Sequence, residues 1–394
     1  MSNPKGIILS APSSGCGKTT ITLGLLRALK NSGLQIKSAK SGPDYIDTRF
    51  HAAASGSECY NLDSWAMCPD QICKLANEAT PLIIEGAMGL FDGAPPEGKG
   101  STSDLAGILK LPVVLILDAA SQAQSIAALT LGFQKLDPNV KISGIILNKV
   151  GSDKHNRILL KALEPLGIPI LGSIYRNKDL NMPSRHLGLV QAQELNNLDE
   201  FLNTAAKIVS DSIDIAKLLK LMKPIPKQKK DTNLFLEPPA QSICIASDAA
   251  FSFTYPHILK EWHKIGIEIS FFSPLKNEAP RDANLIFLPG GYPELYAEKL
   301  ANADIFKNAM KKANAVYGEC GGYMTMGSGI IDANGKKHEM LGLLNLETSF
   351  EEKKLHLGYR NLAPNNIWSS NLKVVVFYSS IKGFETIDDY CSYI

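Results

Sequence analysis

One stretch limits the possible folds more than any other. In "GIILSAPSSGCGKTTITLGLL", residues 6–26, an apolar run meets a glycine-rich loop and then a helical pattern. Gly15 and Gly17 let backbone N–H groups turn toward an anion, Lys18 supplies a cation, and the start of a helix adds positive potential. Thr19 carries a hydroxyl of the kind that ligates Mg²⁺ beside bound phosphates. Pro12 stands where the strict GxxxxGK[ST] pattern has glycine. The helix, read from about Lys18 to Lys30, places Ile21, Leu25 and Leu29 on one stripe, and Gly33 suits a left-handed cap. Five further apolar runs, "LQIKSAK", "LIIEGA", "LPVVLILD", "ISGIILNKV" and "IPILGSI", recur at helix-length intervals. That rhythm predicts an α/β fold with a parallel sheet covered by helices on both faces.

The rhythm breaks at "KPIPKQKKDTNLFLEPPAQ", whose four prolines among basic and polar residues interrupt helix and sheet. A first domain over 1–223, a linker over 224–240 and a second α/β domain over 241–394 follow. The second begins at "SICIASD" and continues through "IEISFFSP", "NLIFLPGG" and "NAVYGEC". A chain of 394 residues with 45% hydrophobic content has enough material for two cores. With a formal charge of only +2, and basic residues scattered apart from Lys227, Lys229 and Lys230, no nucleic-acid or membrane-binding face is expected. The apolar run "LPVVLILDAA" is too short to span a bilayer and the N-terminus lacks a signal-peptide core, so a cytoplasmic protein is expected. The seven cysteines show neither CxxC spacing nor a Cys/His cluster suited to zinc.

Several polar residues end strands on the side where open α/β sheets bind ligands. Glu85 closes "LIIE" and can reach Mg²⁺ or its waters, and Asp92 follows in the next loop. "KSGPDYIDTRFH" offers Lys40, Asp44, Asp47 and His51 around a glycine-proline turn. Lys40 can stabilise a transferring phosphoryl group and Asp47 can complete a Mg²⁺ site with Thr19 and Glu85. Asp44 can simply brace the turn, and His51 reads as a satisfied surface histidine. Asn148, ending "GIILN", can hydrogen-bond an adenine edge or cap its strand.

Together "APSSGCGKTT", "KSGPDYIDTRFH", "NLDSW", "EGAMGLFDG", "GSTSDLA" and "PSRHLGLV" resemble cobyrinate a,c-diamide synthase, whose N-terminal domain is similar to dethiobiotin synthetase. The resemblance implies that Gly15, Gly17, Lys18, Thr19 and Thr20 bind ATP and that Asn148 reads its adenine. It further implies that Thr19, Asp47 and Glu85 hold Mg²⁺, and that Tyr45, Ile46 and Asp92 meet the corrin or steer its carboxylates. ParA-like ATPase switches place a signature Lys where this chain has Ser13, which disfavours that reading.

In the second domain "NLIFLPGGYPELY" and "AVYGECGGYMTMG" resemble the landmarks of a class I glutamine amidotransferase of the cobyrinate synthase type. By that resemblance Cys320 is a nucleophile between a strand and a helix whose N-terminus favours thiolate. The Gly321 N–H and the backbone around Gly290 and Gly291 are expected to form its oxyanion hole. The family carries a Gly-His-Glu-Phe-His-Tyr-Ser-like segment that supplies the base. Here the corresponding residues read "KVVVFYSS", 373–380, where Tyr378 and Ser379 match and no histidine does. His338 and His356 lie nearby in sequence at positions that do not match. The chain's end is read as atypical or truncated.

The expected activity is ATP- and Mg²⁺-dependent amidation of the a and c carboxylates of a cobyrinate-like corrin, with glutamine or ammonia as nitrogen donor, in cobalamin biosynthesis. Alternatives are a nickel-sirohydrochlorin a,c-diamide synthase, or a partly decayed synthase that uses only ammonia or only binds nucleotide. A homodimer is left open.

Overall fold

The computed structural model describes residues 4–182, 184–185, 188–189, 192–195, 197–228, 236–351, 356–362, 372–378 and 381–382. It divides into two units, Met1–Asn233 and Leu234–Ile394.

The first unit alternates strand and helix: β1 (Lys5–Ser10), α1 (Lys18–Asn31), β2 (Lys37–Ser41), α2 (Tyr45–Ser55), β3 (Cys59–Leu62), α3 (Pro69–Glu78), β4 (Leu82–Glu85), α4 (Thr102–Leu109), β5 (Val113–Asp118), α5 (Ser125–Lys135), β6 (Ile142–Val150), α6 (Asp153–Leu163) and β7 (Ile170–Tyr175). A two-residue pair, β8 (Ser184–Arg185) and β9 (Gly188–Leu189), precedes α7 (Leu198–Ser212), α8 (Ile215–Leu221) and β10 (Lys223–Pro224). The seven long strands are parallel in the order β3-β2-β4-β1-β5-β6-β7. β10 adds antiparallel pairing at Lys5 and Gly6. The segment read as the start of the linker therefore begins as part of this sheet, with Ile225 buried and its N–H donating to Pro4 O at 2.8 Å. Residues 229–235 lie outside the described residues.

Helix α1 buries Ile21, Leu23, Leu25, Leu26 and Leu29, more than one stripe, because the sheet covers one side and α7 the other. Each such side chain contributes about 1.5–3 kcal/mol on burial. The helices approach closely at Gly24, where a Cβ would stand 2.8 Å from Ala205 O and 2.7 Å from Val209 Cγ2. Parallel register then fixes which strand ends meet. Lys40 pairs with Glu85 across β2 and β4, Leu9 pairs with Glu85 across β1 and β4, and Asp118 pairs with Asn148 across β5 and β6. The polar residues that close these strands thus gather along one edge of the sheet.

The second unit has β11 (Ser242–Ala246), α9 (Pro256–Lys264), β12 (Glu268–Phe272), β13 (Leu285–Leu288), α10 (Ala297–Ala301), α11 (Asp304–Met310), β14 (Val316–Gly318) and α12 (Gly321–Met326). Its parallel sheet runs β12-β11-β13-β14. Beyond it lie β15 (Gly329–Ile331), β16 (Lys337–Glu339), β17 (Glu347–Ser349), β18 (His356–Leu362), β19 (Leu372–Tyr378) and β20 (Ile381–Lys382). β18 and β19 pair antiparallel, and β20 pairs with β17. Both units are α/β with parallel sheets. Among the described residues, no helix is long and apolar enough to cross a membrane.

Candidate active sites

The loop after β1 turns through left-handed glycines, Gly15 at φ 79° and Gly17 at φ 88°, before α1 begins at Lys18. A Cβ on Gly17 would lie 2.3 Å from Asn148 Nδ2, so the loop can sit against the end of β6 only with glycine there. Asn148 Nδ2 donates to Cys16 O at 2.9 Å, and Lys149 Nζ donates to Gly15 O at 2.9 Å while pairing with Asp118 at 2.6 Å. Asn148, expected at the adenine edge, thus uses its amide nitrogen to hold the loop. Lys149 and Asp118 do the same work and were not singled out from the sequence. Only the β5–β6 register brings them together.

Lys18 is buried, and its Nζ donates to Ser13 O at 3.0 Å and Met88 O at 2.6 Å. Burial lowers its pKa, against the pull of Glu85. Beside it lies a network of two carboxylates and two bases. Thr19 Oγ1 donates to Glu85 Oε1 at 2.6 Å and faces Asp47 Oδ2 at 3.4 Å. Lys40 Nζ contacts the same two oxygens, at 2.7 Å from Glu85 Oε1 and 2.5 Å from Asp47 Oδ2. His51 Nε2 lies 2.7 Å from Glu85 Oε2. His51 is fully buried, which corrects the reading of a surface histidine; α2 turns it inward one helical turn after Asp47.

Charge pairing dominates here over burial. Burial disfavours charge on Lys40, but Asp47 and Glu85 outweigh it and raise its pKa. Burial likewise opposes ionisation of Glu85, but Lys40 and His51 hold its carboxyl well below the usual carboxylate range. For His51, burial is outweighed by Cys59 and Glu85, which push its pKa up to about 10.

Asp44 braces the turn, as the simpler reading has it. Its Oδ1 accepts from the N–H of Ile46 at 2.8 Å and of Asp47 at 3.0 Å, capping α2. Asn61, also not singled out, pins the same loop from β3 by donating to Gly42 O and Asp44 O. The other expected site residues have these local contacts. Thr20 Oγ1 lies 3.4 Å from Leu180 O, Asp92 Oδ2 accepts from Gly89 N–H at 2.8 Å, and half-buried Ile46 packs on the core. Tyr45 is half-buried in the first turn of α2, its carbonyl accepting from Thr48. "PSRHLGLV" falls partly outside the described residues.

Thr19 Oγ1 lies 2.6 Å from Glu85 Oε1 and 3.4 Å from Asp47 Oδ2, three hard oxygens of the kind Mg²⁺ takes alongside substrate phosphates, with the Lys40 ammonium against the same two carboxylate oxygens. The residues fit the ion. Among the described residues no three His, Cys, Asp or Glu side chains form a metal cage.

In the second unit β14 leads to Cys320, at φ 49° and ψ −115°, and α12 leaves it. A non-glycine residue held there is strained, as at strand-to-helix turns that expose a nucleophile. The N–H groups of Gly321 and Gly291 hydrogen-bond its sulfur. Gly290 packs on it so closely that a Cβ would lie 3.1 Å from Cys320 Cβ, while its carbonyl accepts from Phe253 N–H at 2.9 Å. The expectation of a favoured thiolate is corrected. Burial, seconded by Glu294 and Glu319, pushes the thiol up to about 11 despite those two N–H groups, and α12 spans only six residues. Glu319 accepts from Tyr317 Oη at 2.9 Å, and burial raises its own pKa. His338 is engaged elsewhere, 2.9 Å from Asp332. The side chains of His356 and Tyr378, and all of Ser379, lie outside the described residues.

A family model described as the CobQ/CobB/MinD/ParA nucleotide binding domain matches residues 7–190, and one described as a CobB/CobQ-like glutamine amidotransferase domain matches 242–386. Chloroplast FtsY from Physcomitrella patens aligns at 18% identity over 51% of this chain and 66% of that one, with a TM-score of 0.36, too low to bear on the chemistry. Relatives named hydrogenobyrinate a,c-diamide synthase match this chain over most of its length. The one from Brucella anthropi is 51% identical over 96% of this chain and 89% of its own length. That from Mesorhizobium japonicum is 46% identical over 90% and 83%, and that from Rhodobacter capsulatus 46% over 92% and 86%. With a phosphate-binding loop in one unit, a cysteine elbow in the other, and full-length identity near one half, the chain belongs to the family of the hydrogenobyrinate a,c-diamide synthases.

Proposed function

We propose that this protein amidates the a and c carboxylates of a corrin, hydrogenobyrinate or its cobalt-bearing counterpart, using ATP to activate each carboxylate and glutamine or ammonia to supply nitrogen. One observation carries the reading: Thr19, Lys40, Asp47 and Glu85 converge beside Lys18 and the glycine loop, at the carboxyl edge of a parallel sheet.

A carboxylate resists ammonia because its leaving group would be oxide, so it is first converted to an acyl phosphate with release of ADP. In this account the N–H groups of Gly15 and Gly17 and the Lys18 ammonium hold the phosphates. Lys40 balances charge on the transferring phosphoryl group. Thr19, Asp47 and Glu85 would hold Mg²⁺, which would supply charge neutralisation during phosphoryl transfer. Ammonia then adds to the acyl carbon, loses a proton and expels phosphate to leave the amide. By the family resemblance Tyr45, Ile46 and Asp92 meet the corrin and Asn148 reads the adenine edge, while its amide nitrogen keeps the loop in place.

In the second unit Cys320 attacks the side-chain amide of glutamine, the N–H groups of Gly321 and Gly291 steady the oxyanion beside Gly290, and ammonia leaves once protonated. Water then releases glutamate from the γ-glutamyl thioester. A second reading, synthesis from ammonia alone, is favoured by the absence of histidine in "KVVVFYSS" and the raised Cys320 pKa. The test gives purified protein the corrin, ATP and Mg²⁺ with ammonium or with glutamine. Diamide is expected with ammonium, glutamine-driven synthesis distinguishes the two readings, and no product from either donor overturns both.

A further inference from the structure

We infer that His51 is a positioning residue that fixes the rotation of the Glu85 carboxylate, so that Oε1 is presented to the divalent-cation site; this rests on the reading of Glu85 as a Mg²⁺ ligand. Glu85 ends β4 as a fully buried side chain, and its two oxygens have different partners. Oε1 takes Thr19 at 2.6 Å and Lys40 at 2.7 Å, while Oε2 takes His51 Nε2 at 2.7 Å. A carboxylate only accepts hydrogen bonds, so Nε2 carries the hydrogen and donates.

Asp47 and His51 stand four residues apart on α2, hence on one face of the helix, and that face meets Glu85. One helix therefore brings an oxygen to the cation and clamps the oxygen atom behind it. His51 shows no exposed surface, and its neighbours Phe50 and Ala54 anchor α2 in the core, so the clamp is held by packing rather than by a mobile side chain. Without it, turning of the Glu85 carboxylate about its terminal torsion, whose profile is broad and shallow, would be resisted only at Oε1, by Thr19 and Lys40. Partners behind a ligating group are worth about 10–100-fold in metal affinity.

The experiment titrates Mn²⁺ into the full chain with saturating ADP and reads free Mn²⁺ by electron paramagnetic resonance, alongside thermal melts in EDTA. His51→Leu is expected to weaken Mn²⁺ binding about 10–100-fold. His51→Gln, whose amide nitrogen reaches the position of Nε2, is expected to recover most of it. If the leucine variant does not fold, His51→Asn replaces it, because its amide nitrogen falls short of Glu85 and the same weakening is expected. Wild-type affinity in the leucine or asparagine variant overturns the inference, as does a glutamine variant no better than leucine. Glu85→Gln in the same titration separates the two failures: wild-type affinity there removes the metal reading itself.

Discussion

At Cys320 the elbow and the thiol pull in different directions. The backbone strain at φ 49° lifts the sulfur toward two N–H groups, yet burial keeps it protonated with a pKa of about 11. At pH 8 only about one molecule in a thousand then carries thiolate, and nucleophilic rate follows that fraction. In a Cys68→Ser, Cys391→Ser background, which removes the thiol exposed among the described residues and the one outside them, alkylation of Cys320 by iodoacetamide should rise about tenfold per pH unit from 8 toward 11. A plateau by pH 8 would contradict the account. The cysteine, both glycine pairs around it, Lys18, Thr19, Lys40, Asp47 and Glu85 were legible because each sits in a short motif or ends an apolar run. His51, Asn61 and Lys149 were not: their roles arise from α2 facing β4, from β3 pairing with β2, and from the β5–β6 register, none of which a local pattern encodes.

Among elements, strands with an unbroken apolar run were legible, β4 at four residues included, and β3 was not. β3 has four residues, one of them Asn61, so it shows no apolar period, although all four are buried at the sheet edge. The stop at "KPIP" looked like linker composition, but a proline at the end of a two-residue antiparallel strand leaves the pairing intact. Helix α1 read as amphipathic and is in fact covered by α7 as well, which makes Gly24 a contact residue. Gly24→Ala should destabilise the first unit by about 1–3 kcal/mol, because the methyl meets the Ala205 carbonyl rather than a yielding side chain. Gly132→Ala in α5, where a Cβ meets nothing within 4 Å, should instead stabilise by about 0.5–1 kcal/mol. Urea or thermal melts of the two variants read both signs, and a neutral Gly24→Ala would refute the close helix approach.

For the molecule as a whole, the proposed function gives the two units complementary halves of one reaction, with ammonia released at Cys320 and consumed beside Lys18. Composition excluded nucleic-acid and membrane partners only as expectations; the family assignment rests on the ordered motifs and on relatives matched over nearly their full length. The central claim is that phosphate chemistry in the first unit drives amide formation whatever the nitrogen source. The most direct measurement is diamide formation with ammonium as donor, comparing wild type, Lys18→Ala and Cys320→Ala. Loss of one preorganised cation should lower the Lys18→Ala rate by about 10²-fold or more, while Cys320→Ala keeps the wild-type rate. Ammonium-driven synthesis undiminished in Lys18→Ala would contradict the account.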